Sequence, residues 1–188
     1  MATDQEVIDG LMKVLPGFEG EIQFMYLDTV GKVTVGIGHM IPDVPSAQAI
    51  PFISRGTGAA AAADEIETDF EAVTAAVKGQ LPSAYQGITS LNLPTGWATQ
   101  DASQRLLNEF LPPLKTQYPG YGGYPQPAQE ALLDMIYNLG AGGLAKYKQL
   151  KAAVQAGDWQ EASAQSHRNG IQASRNTWTA QQFLAAAG

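Results

Sequence analysis

The chain has no cysteine, only two histidines (His39 and His167), and no apolar run near the ~20 residues that a membrane-spanning helix requires. The missing thiols exclude a disulfide framework, a thiolate metal site and a cysteine nucleophile. Two histidines argue against a His-rich zinc centre, and no other motif asks for a metal or a cofactor. Positive charge is also scarce: 11 Lys and Arg stand against 18 Asp and Glu, a net charge of −7. Such a surface repels nucleic acid and anionic membranes, so neither nucleic-acid binding nor membrane insertion is expected. The opening MATDQEVIDG has neither a basic stretch nor an apolar core, so no signal peptide is expected.

What is present suffices for a packed core, since 45% of the 188 residues are hydrophobic. Thr3 and Glu6 have the spacing of a capping box, and Val7, Ile8, Leu11, Met12 and Leu15 follow at helical intervals. A first helix over about 4–14 is predicted, with at most one short further turn at Phe18-Glu19. The period then changes. Tyr26-Leu27-Asp28 reads as a strand, 29–32 as a turn, and 33–37 as the returning strand. Val33, Val35 and Ile37 form its core face; Thr34, Gly36 and Gly38 leave the other face open to a close-approaching molecule. Residues 42–58 and 80–98, rich in Pro, Gly and small side chains, read as long loops. Helices are predicted over 59–78, after a cap at Thr99-Gln100-Asp101 as far as Pro112-Pro113, over 128–139, over 144–156, over 159–166 and near 177–186. Residues 128–139 are apolar on nearly every side, which marks a central buried helix. The layout is α+β: a small hairpin lobe at about 15–80, and a larger helical lobe from about 1–14 and 81–188, with a groove expected where they meet.

The stretch FEGEIQFMYLDTVGKVTVGIGH, residues 18–39, carries the chemistry. It sets a carboxyl group (Glu19) at a helix end, a second (Asp28) at a strand end, and a hydroxyl (Thr34) on the neighbouring strand. Glycoside hydrolysis needs one carboxyl group to protonate the leaving oxygen and another to activate water. The negative end of a helix dipole and the flanking Phe18 both disfavour an ionised Glu19, which suits the acid. Asp28 could also serve only its own turn, Thr34 only its strand, and His39 only a structural ion pair.

Glu19, eight residues, Asp28, five residues, Thr34 and then Gly36-Ile37-Gly38-His39 resemble the phage-type lysozymes, glycoside hydrolase family 24. Ala131–Gly140 is similar to the central helix of that family, and Gly170-Ile171 with Arg175 to its arginine-bearing turn. The resemblance implies a lysozyme-like fold with the active-site cleft between two lobes, and a muramidase that hydrolyses the β(1,4) bond between N-acetylmuramic acid and N-acetylglucosamine. Glu19 would be its acid, with Asp28 and Thr34 holding the water. Gly36, Gly38, His39, Asn138 and Arg175 are the candidate substrate-binding residues, bacterial peptidoglycan is the expected partner, and no cofactor is expected. Residues 42–58 and 80–98 depart from the pattern, and Arg175 stands alone where the family often has paired arginines.

Two other functions are open from the sequence: an inactive wall-binding module, and a lytic transglycosylase, which would need no water-holding Asp and Thr. The expected place of action is the bacterial cell wall, periplasmic or exterior, reached as a monomer through a holin or a secretion system. As an interbacterial toxin it would be matched by an immunity protein.

Overall fold

A computed structural model describes all residues, Met1–Gly188. The architecture is α+β, with ten α-helices, a three-stranded antiparallel sheet and a two-stranded one. No helix is long and apolar enough to cross a membrane. The chain divides into two compact units: Met1–Phe18 together with Ser103–Gly188, and the inserted segment Glu19–Ala102.

The discontinuous unit is helical. Its first helix, α1 (Asp4–Met12), starts from a complete capping box. The Glu6 backbone N–H donates to Thr3 Oγ1 at 3.2 Å, and Glu6 Oε2 accepts from the Thr3 N–H at 2.7 Å. Lys13 and Val14 lie past its end, so α1 is shorter than expected. A five-residue helix, α2 (Leu15–Glu19), carries the chain to the unit boundary.

The inserted unit begins with β1 (Ile22–Leu27), β2 (Val33–Gly36) and β3 (His39–Met40), paired in that order. Val33, Val35 and Ile37 are buried, as their alternation requires, but the opposite face is not open. Thr34 is 4% exposed and Gly36 is buried. A Cβ on Gly36 would stand 3.3 Å from Ala98 Cβ and 3.4 Å from Leu93 Cδ1. The bare backbone at Gly36 therefore admits the unit's own chain, which corrects the expected open face.

Residues 42–58 are not an unstructured loop. Asp43 caps α3 (Val44–Gln48), its Oδ1 accepting from the Ser46 N–H at 2.9 Å, and β4 (Ile53–Ser54) follows. The next helix, α4 (Ala63–Thr74), is shorter than predicted at both ends; Val77 lies beyond it and is exposed. Residues past 80 are tied back into the same unit. Strand β5 (Leu91–Asn92) pairs with β4, and buried Asp69 of α4 accepts from the Ser90 and Leu91 N–H groups. Arg55 donates to the Gln86 carbonyl at 2.9 Å and to Thr89 Oγ1 at 3.2 Å. The unit consequently extends to Ala102 rather than ending near residue 80.

Helix α5 (Trp97–Arg105) begins two residues before the predicted cap and leads into a wider π-type turn at Leu106–Phe110. There the Leu111 N–H bonds the Leu106 carbonyl, five residues back. Pro112 and Pro113 do not stop the helix. They occupy the first turn of α6 (Leu111–Gln117), where a missing N–H costs little. The buried centre of the helical unit is α7 (Gln126–Leu144), buried from Ala128 to Tyr137. Gly140, at φ 67° and ψ 168°, breaks its ladder, and helical structure resumes to Leu144. Helices α8 (Lys148–Ala156), α9 (Trp159–Gln165) and α10 (Ala173–Ala185) complete the unit.

Candidate active site

Six of the eight candidate residues belong to the inserted unit: Glu19, Asp28, Thr34, Gly36, Gly38 and His39. Glu19 is the last residue of α2 and is half-buried. Asp28 follows β1 directly and forms the hairpin turn. Its Oδ1 accepts from the Val30 N–H at 2.9 Å and the Lys32 N–H at 2.8 Å, while its carbonyl accepts from the Gly31 N–H at 3.0 Å. The turn role considered from the sequence is therefore real, but it engages one carboxylate oxygen only. Thr34 donates its hydroxyl proton to the Lys32 carbonyl at 3.1 Å, which leaves the oxygen lone pairs available.

Tyr26, which sequence reasoning passed over, links these groups. It is 7% exposed and pairs with Thr34 across the β1–β2 ladder. Its phenol is pushed up to about 12, first by burial and then by the negative charges of Glu19 and Asp28. The alternation of the strand held the signal: Tyr26 is two residues from Asp28, the spacing at which strand residues share a face.

Gly36 and Gly38 adopt φ values of 63° and 62° and bracket the tight link from β2 to β3. On β3, His39 Nδ1 lies 2.9 Å from Asp101 Oδ2, with the imidazole 23% and the carboxylate 13% exposed. Its ring also packs 5.9 Å from that of Trp97. The chain thus places His39 in the ion pair or hydrogen bond considered for it, with a partner 62 residues away.

Asn138 and Arg175 belong to the helical unit. Arg175 is buried, only 3% exposed. Its Nε donates to Asp134 Oδ1 at 2.9 Å, and its Nη2 stands 2.7 Å from the same oxygen. A second arginine, missed in the sequence, completes the arrangement. Arg168 Nη2 is 2.9 Å from Asp134 Oδ2 and donates to Thr179 Oγ1 at 2.6 Å. Arg168 Nη1 donates to Asn138 Oδ1 at 3.3 Å. Burial pushes the Arg168 guanidinium below its ordinary value, and the facing Asp134 opposes that shift. Asp134 itself was the readable signal, because a charge within an otherwise apolar helix must be paired where it is buried.

No group of three or more His, Cys, Asp or Glu side chains is arranged to hold a metal ion. Comparison with models of known protein families finds no match, and none of the curated proteins compared with the chain matches it.

Proposed function

We propose that this chain is a glycoside hydrolase of the phage-type lysozyme kind, a muramidase acting on bacterial peptidoglycan. The observation that supports it best is the relation of Tyr26 to the three candidate catalytic residues: one phenol feels both Glu19 and Asp28 and pairs with Thr34. Two carboxyl groups and a hydroxyl grouped about one side chain supply the acid, the base and the water-positioning group of glycoside hydrolysis.

In this reading protonated Glu19 donates to the glycosidic oxygen as the bond to the muramic acid anomeric carbon breaks. Asp28 Oδ2 takes a proton from a water molecule, and the resulting hydroxide attacks that carbon from the opposite face, inverting it. The Thr34 oxygen accepts the water's other hydrogen and fixes its direction. The two N–H bonds to Asp28 Oδ1 hold the base still, and orientation of that kind lowers the barrier. The fold in this reading is lysozyme-like, the substrate is the glycan strand, and the enzyme works as a monomer at the cell wall.

Purified peptidoglycan incubated with the wild type, Glu19→Gln and Asp28→Asn, followed by mass analysis of released muropeptides, tests the proposal. Reducing-end muramic acid from the wild type alone is the expected result. Anhydromuramic products that survive Asp28→Asn would mean a lytic transglycosylase. Binding to the sacculus with no release by the wild type would mean a wall-binding module.

A further inference from the structure

Phe18, the residue before Glu19, is held by three side chains spaced three apart along α10 and its N-cap. Gln172, the N-cap, donates through Nε2 to the Phe18 carbonyl at 3.1 Å. Arg175 places its guanidinium 5.3 Å from the centroid of the Phe18 ring. Trp178 meets that ring edge-on, with centroids 5.7 Å apart and planes at 62°. Side chains three apart lie along one strip of a helix, so α10 offers a single surface to one residue.

The consequence follows from peptide geometry. The Phe18 carbonyl and the Glu19 N–H belong to one rigid planar unit. A hydrogen bond to that carbonyl therefore fixes the plane from which the Glu19 side chain departs. Helix α2 cannot do this alone. Five residues are too few for a helix to persist by its own hydrogen bonds, and its last carbonyls have no partner within it. The clamp itself is anchored, because Asp134 of α7 holds Arg175 through two contacts.

We propose that Gln172 and Trp178 are positioning residues for Glu19: they fix the Phe18–Glu19 peptide plane and so the direction in which the carboxyl group is presented. The inference rests on the reading of Glu19 as the general acid. Gln172→Glu removes the N–H donor at nearly constant shape, Trp178→Ala removes the ring, and Trp178→Phe keeps an aromatic edge.

Three measurements test it on the full chain: the backbone order parameter of the Glu19 amide, kcat and KM on solubilised glycan strands, and the thermal midpoint. In Gln172→Glu and Trp178→Ala the order parameter is expected to fall from about 0.85, the value of rigid backbone, to below about 0.6. We expect kcat to fall about tenfold, near 1.4 kcal/mol in barrier, with KM unchanged. Trp178→Phe should restore both readouts. An unchanged order parameter overturns the proposal, as does a loss of kcat that only tracks the thermal midpoint and is not rescued by phenylalanine. If the wild type releases no muropeptides, the acid assignment fails, yet the order parameter still decides whether α10 holds this peptide.

Discussion

Tyr26 stands opposite Thr34 across the β1–β2 ladder, and its phenol is the group on which the charges of Glu19 and Asp28 converge. The relationship can be measured without any assay of activity. Followed by NMR of labelled tyrosine, the Tyr26 phenol should titrate near pH 12. The midpoint should move down in Glu19→Gln and again in Asp28→Asn, since each substitution removes a negative charge that opposes phenolate. A midpoint insensitive to both changes would separate the two carboxyl groups from one another. The native state keeps this proton longer than the unfolded chain, so stability associated with Tyr26 is lost as pH rises from the ordinary phenol value through 12.

His39→Phe keeps a ring against Trp97 and removes the contact with Asp101. A hydrogen bond to a charged, mostly buried partner contributes about 1.5–3 kcal/mol. We expect a lower urea midpoint with an unchanged slope. A midpoint equal to that of the wild type would show that the pair adds nothing to stability.

Asp134→Asn should be the more damaging change. It preserves shape but leaves two buried guanidiniums facing each other without a carboxylate between them. Removing one member of a buried charge network costs about 3–5 kcal/mol. Equilibrium unfolding is the measurement, and a loss below about 1 kcal/mol would show the arginines satisfied elsewhere.

Glu130 gives a pH dependence of definite sign. It is 9% exposed, and burial pushes its carboxyl up, against the Gln126 hydrogen bond and the Lys13 charge. The native state binds its proton more tightly than the unfolded chain does, so this contribution to stability falls as pH rises out of the ordinary glutamate range. Glu130→Gln should flatten that part of the profile and raise the urea midpoint at pH 7. A steeper profile in the variant would reverse the sign. The same carboxylate fills the space beside Gly10, so a side chain at Gly10 would require Glu130 to move aside.

Local signals were legible in the sequence and long-range ones were not. The Thr3–Glu6 cap, the strands around Asp28 and the buried helix of Ala128–Tyr137 each rest on neighbours within a few residues, and the structure contains all three. The short elements α3 and β4 do not announce themselves, because tertiary contacts rather than propensity hold pieces of five and two residues. The π-type turn before Pro112 escaped for a related reason: the prolines read as a stop, and only the widened ladder shows how they are accommodated. In the candidate site the spacing picked out Glu19, Asp28 and Thr34. The Asp101 partner of His39 is 62 residues distant, and Arg168 is 34 residues from the Asp134 it faces, so no pattern in a single chain pairs them.

The inserted unit is one uninterrupted stretch, Glu19–Ala102, whereas the unit around it is assembled from both ends of the chain. During synthesis the insert is complete once Ala102 has emerged, and it can fold while the remaining residues are still being added. Helix α1 packs against α7, which starts at Gln126. It must wait with its apolar face uncovered until more than a hundred further residues have followed, and closing so long a loop is slow. The nascent chain therefore has an early helix that is buried late, and Val7, Ile8 and Leu11 are the residues a holding chaperone would meet in the interval.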